Sequence, residues 1–268
     1  MKEMLMVACH QMQDTLREPL VLCITGLIMF IILLNAAANA IIIPGIDLHV
    51  DDGNDHFFSV GMSNPLFETS ILMSILSLFI GLLTITEERT NGSLRILIPK
   101  PLYRRDIFMG KYLGLSLLLL FIIITLILLC VSTQIILYRA PFSTEDLILR
   151  VSSYIFVLFL SCEMTLGISM LIGVLFKNLL SVLIYSGAFL CLEWYFVPPE
   201  SLRGIVRYVV PKQLYITVLE ADGKAFIFET VCSFESWLHG SLPLIILMIV
   251  EILLLVLISS WLFSRDDI

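Results

Sequence analysis

Charged residues are scarce in this chain. Asp, Glu, Lys and Arg make up 15% of it, against about 25% in soluble domains. With 59% hydrophobic residues and a mean hydropathy of +0.99, the sequence excludes an ordinary soluble domain and predicts an all-α polytopic membrane protein. Histidine is rarer still: His10, His49, His56 and His239 all fall outside the interiors of the apolar runs, and no H-E-x-x-H occurs. The six cysteines form no CxxC pair and lie mainly in apolar runs, with Cys232 alone in an expected outer loop. Neither a disulfide framework nor a zinc site is expected. No G-x-x-x-x-G-K-[ST] is present: Gly110-Lys111 and Gly223-Lys224 are followed by Tyr112 and Ala225 and lack the upstream glycine. The chain therefore has no phosphate-binding loop of its own. The net charge of -7 comes from acids at the loops, and nothing in it points to nucleic acid.

What remains is apolar length. A helix crosses the hydrocarbon core with roughly 20 mostly apolar residues, which predicts six spans at about 20-43, 66-86, 112-137, 151-176, 179-197 and 241-263. Ahead of them, Met4, Leu5, Ala8, Met12 and Leu16 recur at helical spacing and predict an amphipathic helix over 1-18 on the membrane surface, broken from the first span by Pro19. Ala38-Asn39-Ala40 mimics a signal-peptidase site. The leading segment is too long and carries Glu3, Asp14 and Glu18, and the apolar run continues through Ile43, so no cleavage is expected.

Basic residues set the orientation, because Lys and Arg are retained on the cytoplasmic side. Six of the 16 lie in the segment 87-111, as Arg89, Arg95, Lys100, Arg104, Arg105 and Lys111. Lys2 and Arg17 precede the first span, and Lys177 and Arg265 mark further inner ends. The outer loop from Pro44 to Pro65 has none. Both termini are thus expected in the cytoplasm of a multi-pass cell-membrane protein. The segment 198-240 is too polar to span but rich in Tyr and Phe, which predicts that it lies along the outer surface. Within it, Leu202, Ile205, Val206 and Val209 predict a short amphipathic helix ended by Pro211.

Four polar positions inside the spans are candidates for a translocation path. Glu163 and Glu251 fall near the middles of the fourth and sixth spans, where an acid costs at least about 2.5 kcal/mol unless neutral, paired or facing water. Two roles stay open to them: lining a path for a cationic or hydroxyl-bearing substrate, or hydrogen-bonding between helices as protonated carboxyls. Asn35 and Asn39, one turn apart in the first span, carry the same pair of readings, with polar helix packing the commoner. The run Asp47 to His56 matches no calcium-loop spacing and reads as a solvated acidic turn, so no metal is expected there.

The charged segment reads Glu87-Glu88-Arg89-Thr90-Asn91-Gly92-Ser93-Leu94-Arg95, then Pro101, Arg104-Arg105 and Gly110-Lys111-Tyr112. It resembles the signature of type-two ATP-binding cassette permeases: an acidic pair, a Gly-small-Leu turn, a Pro, an Arg and a Gly-Lys entering the third span. The resemblance extends to the surface helix, the six spans, the outer segment and the charged tail. It implies a permease dimer, of one chain or two paralogues, driven by separate cytoplasmic ATPase subunits that carry the ATP and magnesium. No cofactor is expected in this chain. It also implies ATPase coupling through the 87-111 segment, with Glu87, Glu88, Arg89, Gly92, Leu94, Arg95, Arg104, Arg105 and Lys111 as docking residues. Export is the direction most often met in that family. Physically, Gly92 permits the turn, while Leu94, Leu97 and Ile98 offer an apolar edge to a partner.

Two other functions are open to the same residues. A non-transporting subunit would use the ATPase coupling for signalling or mechanical work on a membrane complex. An intramembrane hydrolase is the remote alternative, since Glu87-Glu88 opens like EExxxR but Gly92 stands at the sixth position. No base, nucleophile and metal set can be assembled around it.

Overall fold

The computed structural model describes residues 2–42, 53–91, 104–138, 144–176, 178–195, 200–220, 227–228 and 233–265. Nine helices make up these residues: α1 (Lys2–Arg17), α2 (Pro19–Ile42), α3 (Gly53–Asn91), α4 (Arg104–Tyr138), α5 (Thr144–Leu175), α6 (Leu179–Tyr195), α7 (Glu200–Val209), α8 (Pro211–Leu219) and α9 (Phe234–Arg265). Among them Pro65–Thr86, Arg105–Ile136, Thr144–Leu175 and Phe234–Arg265 are long and apolar enough to cross a membrane. The pair α1 and α2 makes a fifth if counted together, bent by 67°. The apolar part of α6, Leu180–Tyr195, is shorter.

The long helices overrun the apolar windows that predict them. At about 1.5 Å per residue, the 39 residues of α3 extend roughly 58 Å, nearly twice a hydrocarbon core. Accordingly α3 begins at Gly53, inside the expected outer loop, and carries Pro65 in its interior. At the other end it continues through Glu87, Glu88 and Arg89 to Asn91, and α4 starts at Arg104. The segment 87-111 is thus largely helical at both flanks, with 92–103 outside the described residues. Asp47 to Asp52 also lie outside them, while Gly53 to His56 open α3 rather than a turn.

Helix α5 is the centre, packed by α3, α9, α8 and α4. Small residues let backbones approach there, as expected where lipid gives no hydrophobic drive between helices. Gly81 sits against Ser169, Gly173 against Ile85, and Gly167 against Leu255. Ser77 Oγ donates to the Cys162 carbonyl at 2.6 Å. By contrast α9 leaves Leu242, Ile246, Val250, Leu253, Leu257 and Trp261 exposed, an apolar stripe suited to lipid. Helix α6 touches its neighbours lightly and is capped where Asn178 Oδ1 accepts from the Leu180 N–H at 3.2 Å.

The two ends of the bundle differ. At one, α7 and α8 form a cap: Tyr154, Tyr215 and the Leu66 carbonyl meet, and Trp237 and Ser241 of α9 donate to the Leu219 and Val218 carbonyls of α8. At the other, α1 crosses the first turns of α4. Its stripe divides: Met4, Val7, Ala8, Gln11 and Thr15 turn inward, while Leu5, Met6 and Leu16 are exposed. The helix expected to lie on the surface by its apolar face is therefore docked onto protein. Gln11 Nε2 completes the seat, donating to Thr84 Oγ1 of α3 at 3.5 Å.

Candidate functional site

Three layers of polar or small residues run from one end of the bundle to the other. The α1 end comes first. Gly110 and Gly114 stand one turn apart on α4, and a Cβ on Gly110 would lie 2.9 Å from the Met4 carbonyl oxygen. A Cβ on Gly114 would overlap the Ala8 carbonyl oxygen and lie 3.1 Å from Ala8 Cα. Only glycine admits backbone this close. The residues expected to couple to an ATPase flank this seat along the chain. Glu87, Glu88 and Arg89 fall on the last turns of α3, Arg104 opens α4, Arg105 is exposed and Lys111 half-buried. Gly92, Leu94 and Arg95 lie outside the described residues.

The middle layer holds Glu163 and Glu251. Glu163 is 4% exposed on α5, and its carboxyl lies beside the side chains of Tyr112 and Ser116 on α4. Neither Glu163 Oε1 nor Tyr112 Oη makes a hydrogen bond of ordinary geometry. Glu251 is half-buried on α9 with Oε2 also unpartnered. The N-terminal parts of α5 and α9 both meet α8, so these helices run the same way. Glu163 and Glu251 each precede the Gly167–Leu255 contact by one turn, which puts them at one level. Asn35 is engaged elsewhere, its amide donating to the Ile31 carbonyl and to Glu68 Oε2 of α3. Asn39 lies on α2, and its side chain is outside the described residues.

The third layer lies under the cap. Tyr154 Oη reaches the Leu66 carbonyl at 3.3 Å and Tyr215 Oη at 2.7 Å, so the single Tyr154 proton goes to Leu66 and Tyr215 donates to Tyr154. Burial pushes the Tyr215 phenol well above its ordinary value, so it stays a donor. Phe228 covers Tyr154 at 5.7 Å between ring centroids. Replacing Tyr215 with Phe is expected to cost about 1 kcal/mol, and Tyr154→Phe more, because it removes both bonds. Thermal unfolding in detergent checks the order, and equal shifts would contradict it.

Several of these groups escape a sequence reading. Glu193, 1% exposed near the end of α6, satisfies the same test that singles out Glu163: an acid within an apolar run. Lys212 lies beside it, with Nζ donating to the Trp194 carbonyl at 2.9 Å and 4.5 Å from the Trp194 ring centroid. Partial burial draws the Lys212 ammonium below its ordinary value, with Glu193 acting in the opposite sense. Arg150 is buried within α5, where a boundary drawn at 151 leaves it in the loop.

Among the described residues no three His, Cys, Asp or Glu side chains are grouped to hold a metal ion. Cys9, Cys23, Cys130, Cys162 and Cys191 are free thiols; Cys232 lies outside the described residues. The arrangement holds helices together around a few buried carboxyls and offers, where it is described, no assembled nucleophile and base.

A comparison with curated proteins finds no match to the chain. The model for ABC-2 family transporter proteins matches residues 5–268. With apolar helices able to cross a membrane several times over and a family match along nearly its whole length, the chain belongs to the ABC-2 transporter family.

Proposed function

We propose that the chain is the membrane subunit of an ATP-driven exporter in the cell membrane, working as a dimer with separate cytoplasmic ATPase subunits. In this reading α2, α3, α4, α5, α6 and α9 are the six spans and both termini face the cytoplasm. The ATPase docks on the segment between Glu87 and Lys111. The observation that carries the reading is the glycine seat of α1 on α4, which straddles the end of that segment. Force on the 92–103 connection enters α3 and α4 at their ends, and α1 is fixed to both.

The charges at the start of α4 support docking. Arg104 and Arg105 stand at a helix N-terminus, where a cation is disfavoured by about 0.3–1 kcal/mol. Helix stability does not account for them, whereas an acidic partner surface does. Glu163, with Tyr112 and Ser116 beside it, and Glu251 at the same level are the groups offered to a substrate along the path.

Reversing charge at Glu87 and Glu88, or at Arg104 and Arg105, should weaken ATPase association roughly tenfold or more while the permease still inserts. Co-purification and ATPase activity of the reconstituted complex measure this. Unchanged association would sink the docking claim. Coupled ATPase activity with no translocated species across vesicles would favour the signalling or mechanical role instead.

A further inference from the structure

The corner where α6 meets α8 is built like a receptor for an ammonium group. Trp194 presents its ring face to Lys212 Nζ at 4.5 Å and its carbonyl at 2.9 Å. A cation over an indole face is held by the ring quadrupole, most strongly where water is excluded. Phe67 closes one side, edge-on to Trp194 at 5.8 Å. The carboxyl of Glu193 lies beside Lys212 and its backbone N–H, and neither of its oxygens makes a hydrogen bond of ordinary geometry although the residue is 1% exposed. The Lys212 ammonium donates to the Trp194 carbonyl and leaves the buried Glu193 carboxyl without a well-formed hydrogen bond. Such a group is costly to keep unless something with donors or positive charge visits it.

The corner is also reachable. Phe67 is 47% exposed, and Trp194 and Lys212 are half-buried. Helix α6 stands at the edge of the bundle with Tyr195 exposed beside the site. Lys212 follows Pro211 in the first turn of α8, and its four-carbon stem can swing away without moving the helix.

We propose that Glu193, Trp194 and Phe67 form a binding site for an ammonium group, and that Lys212 is the resident cation a ligand displaces. The site stands apart from the ATPase coupling proposed above and does not depend on it. Two sources share the chemistry: a soluble alkylammonium, or the amine head group of a lipid reaching the corner from the side.

The test uses the full chain in nanodiscs of phosphatidylglycerol, titrated with butylammonium and followed by tryptophan emission. A saturable change is expected that is absent in Trp194→Phe and lost in Glu193→Gln. Lys212→Met should tighten the apparent Kd by about tenfold, the factor for a competitor holding the site nine-tenths of the time. Adding phosphatidylethanolamine to the nanodiscs separates the sources. A right-shifted titration identifies the lipid head group as occupant, and an unchanged one the soluble ammonium. The proposal is overturned if Lys212→Met, folded by its thermal transition, shows no saturable change in either lipid. Weaker binding in that variant also overturns it, because Lys212 would then be only the structural counter-ion of Glu193.

Discussion

Replacing Gly114 with leucine is expected to lift α1 from α4. The obstacle is backbone: a Cβ there would overlap the Ala8 carbonyl oxygen and sit 3.1 Å from both Ala8 C and Cα. A side-chain tip could rotate aside, but a helix backbone can yield only by moving as a unit. Overpacking of this kind costs typically 1–3 kcal/mol, and it falls on one of the most extensive helix contacts among the described residues. The seat rests on Met4, Val7 and Ala8 against two glycines, plus the long Gln11–Thr84 hydrogen bond. Trypsin cleavage after Arg17, at the end of α1, should quicken, and the thermal transition should fall. On the coupling proposed above, substrate-stimulated ATPase activity of the complex falls with them. Gly26→Leu on α2 is the control, since a Cβ there meets nothing within 4 Å. If Gly114→Leu cleaves no faster than Gly26→Leu, the seat does not hold α1.

That seat was half legible in the sequence. Gly110-Lys111-Tyr112 is visible as an entry to a span, and the four-residue spacing to Gly114 is a known device for close helix approach. What the sequence does not disclose is the partner, because the contact joins α1 and α4 across a hundred residues. The same limit applies to α1 itself, whose apolar stripe predicts a buried face without saying whether lipid or protein buries it. In the structure the stripe splits between Met4, Ala8 and Met12, turned inward, and Leu5 and Leu16, exposed.

Hydropathy locates apolar windows well and helix ends poorly. It marks where lipid requires apolar residues, whereas a helix continues as long as its backbone bonds and neighbours favour it. Hence α3 runs from Gly53 through Pro65 to Asn91 although its apolar window covers only Pro65–Thr86. Buried and half-buried polar residues near those ends are hidden by the same averaging. Glu68, Arg150 and Glu193 each fall within a few residues of an expected boundary, so each passes as a loop or interface residue. Only their partners Asn35, Asp146 and Lys212 show what they do.

Arg150 carries the second large expectation. Its Nε donates to Asp146 Oδ2 at 2.8 Å and its Nη1 to the Ile227 carbonyl at 2.6 Å. Its side chain is 4% exposed, against 30% for that of Asp146. One planar guanidinium thus ties α5 to the 227–228 pair, whose Phe228 covers Tyr154 and the tyrosine pair beneath. In Arg150→Met the partly exposed Asp146 regains water, but the buried Ile227 carbonyl loses a charge-assisted donor, a loss of roughly 1–3 kcal/mol. The 227–228 pair then loses one of its anchors, and the cap over Tyr154 and Tyr215 should loosen with it. Arg150→Lys keeps the charge yet offers a point donor in place of a fork, so it can serve Asp146 or Ile227 but not both in this geometry. It should fall between Arg150→Met and the parent. Hydrogen exchange at the Ile227 amide, which donates to the Leu219 carbonyl at 3.1 Å, reports the cap directly. Exchange is expected to rise in the order parent, Lys, Met. Equal protection in all three would mean that Phe228 and its packing, not the guanidinium, keep the cap closed.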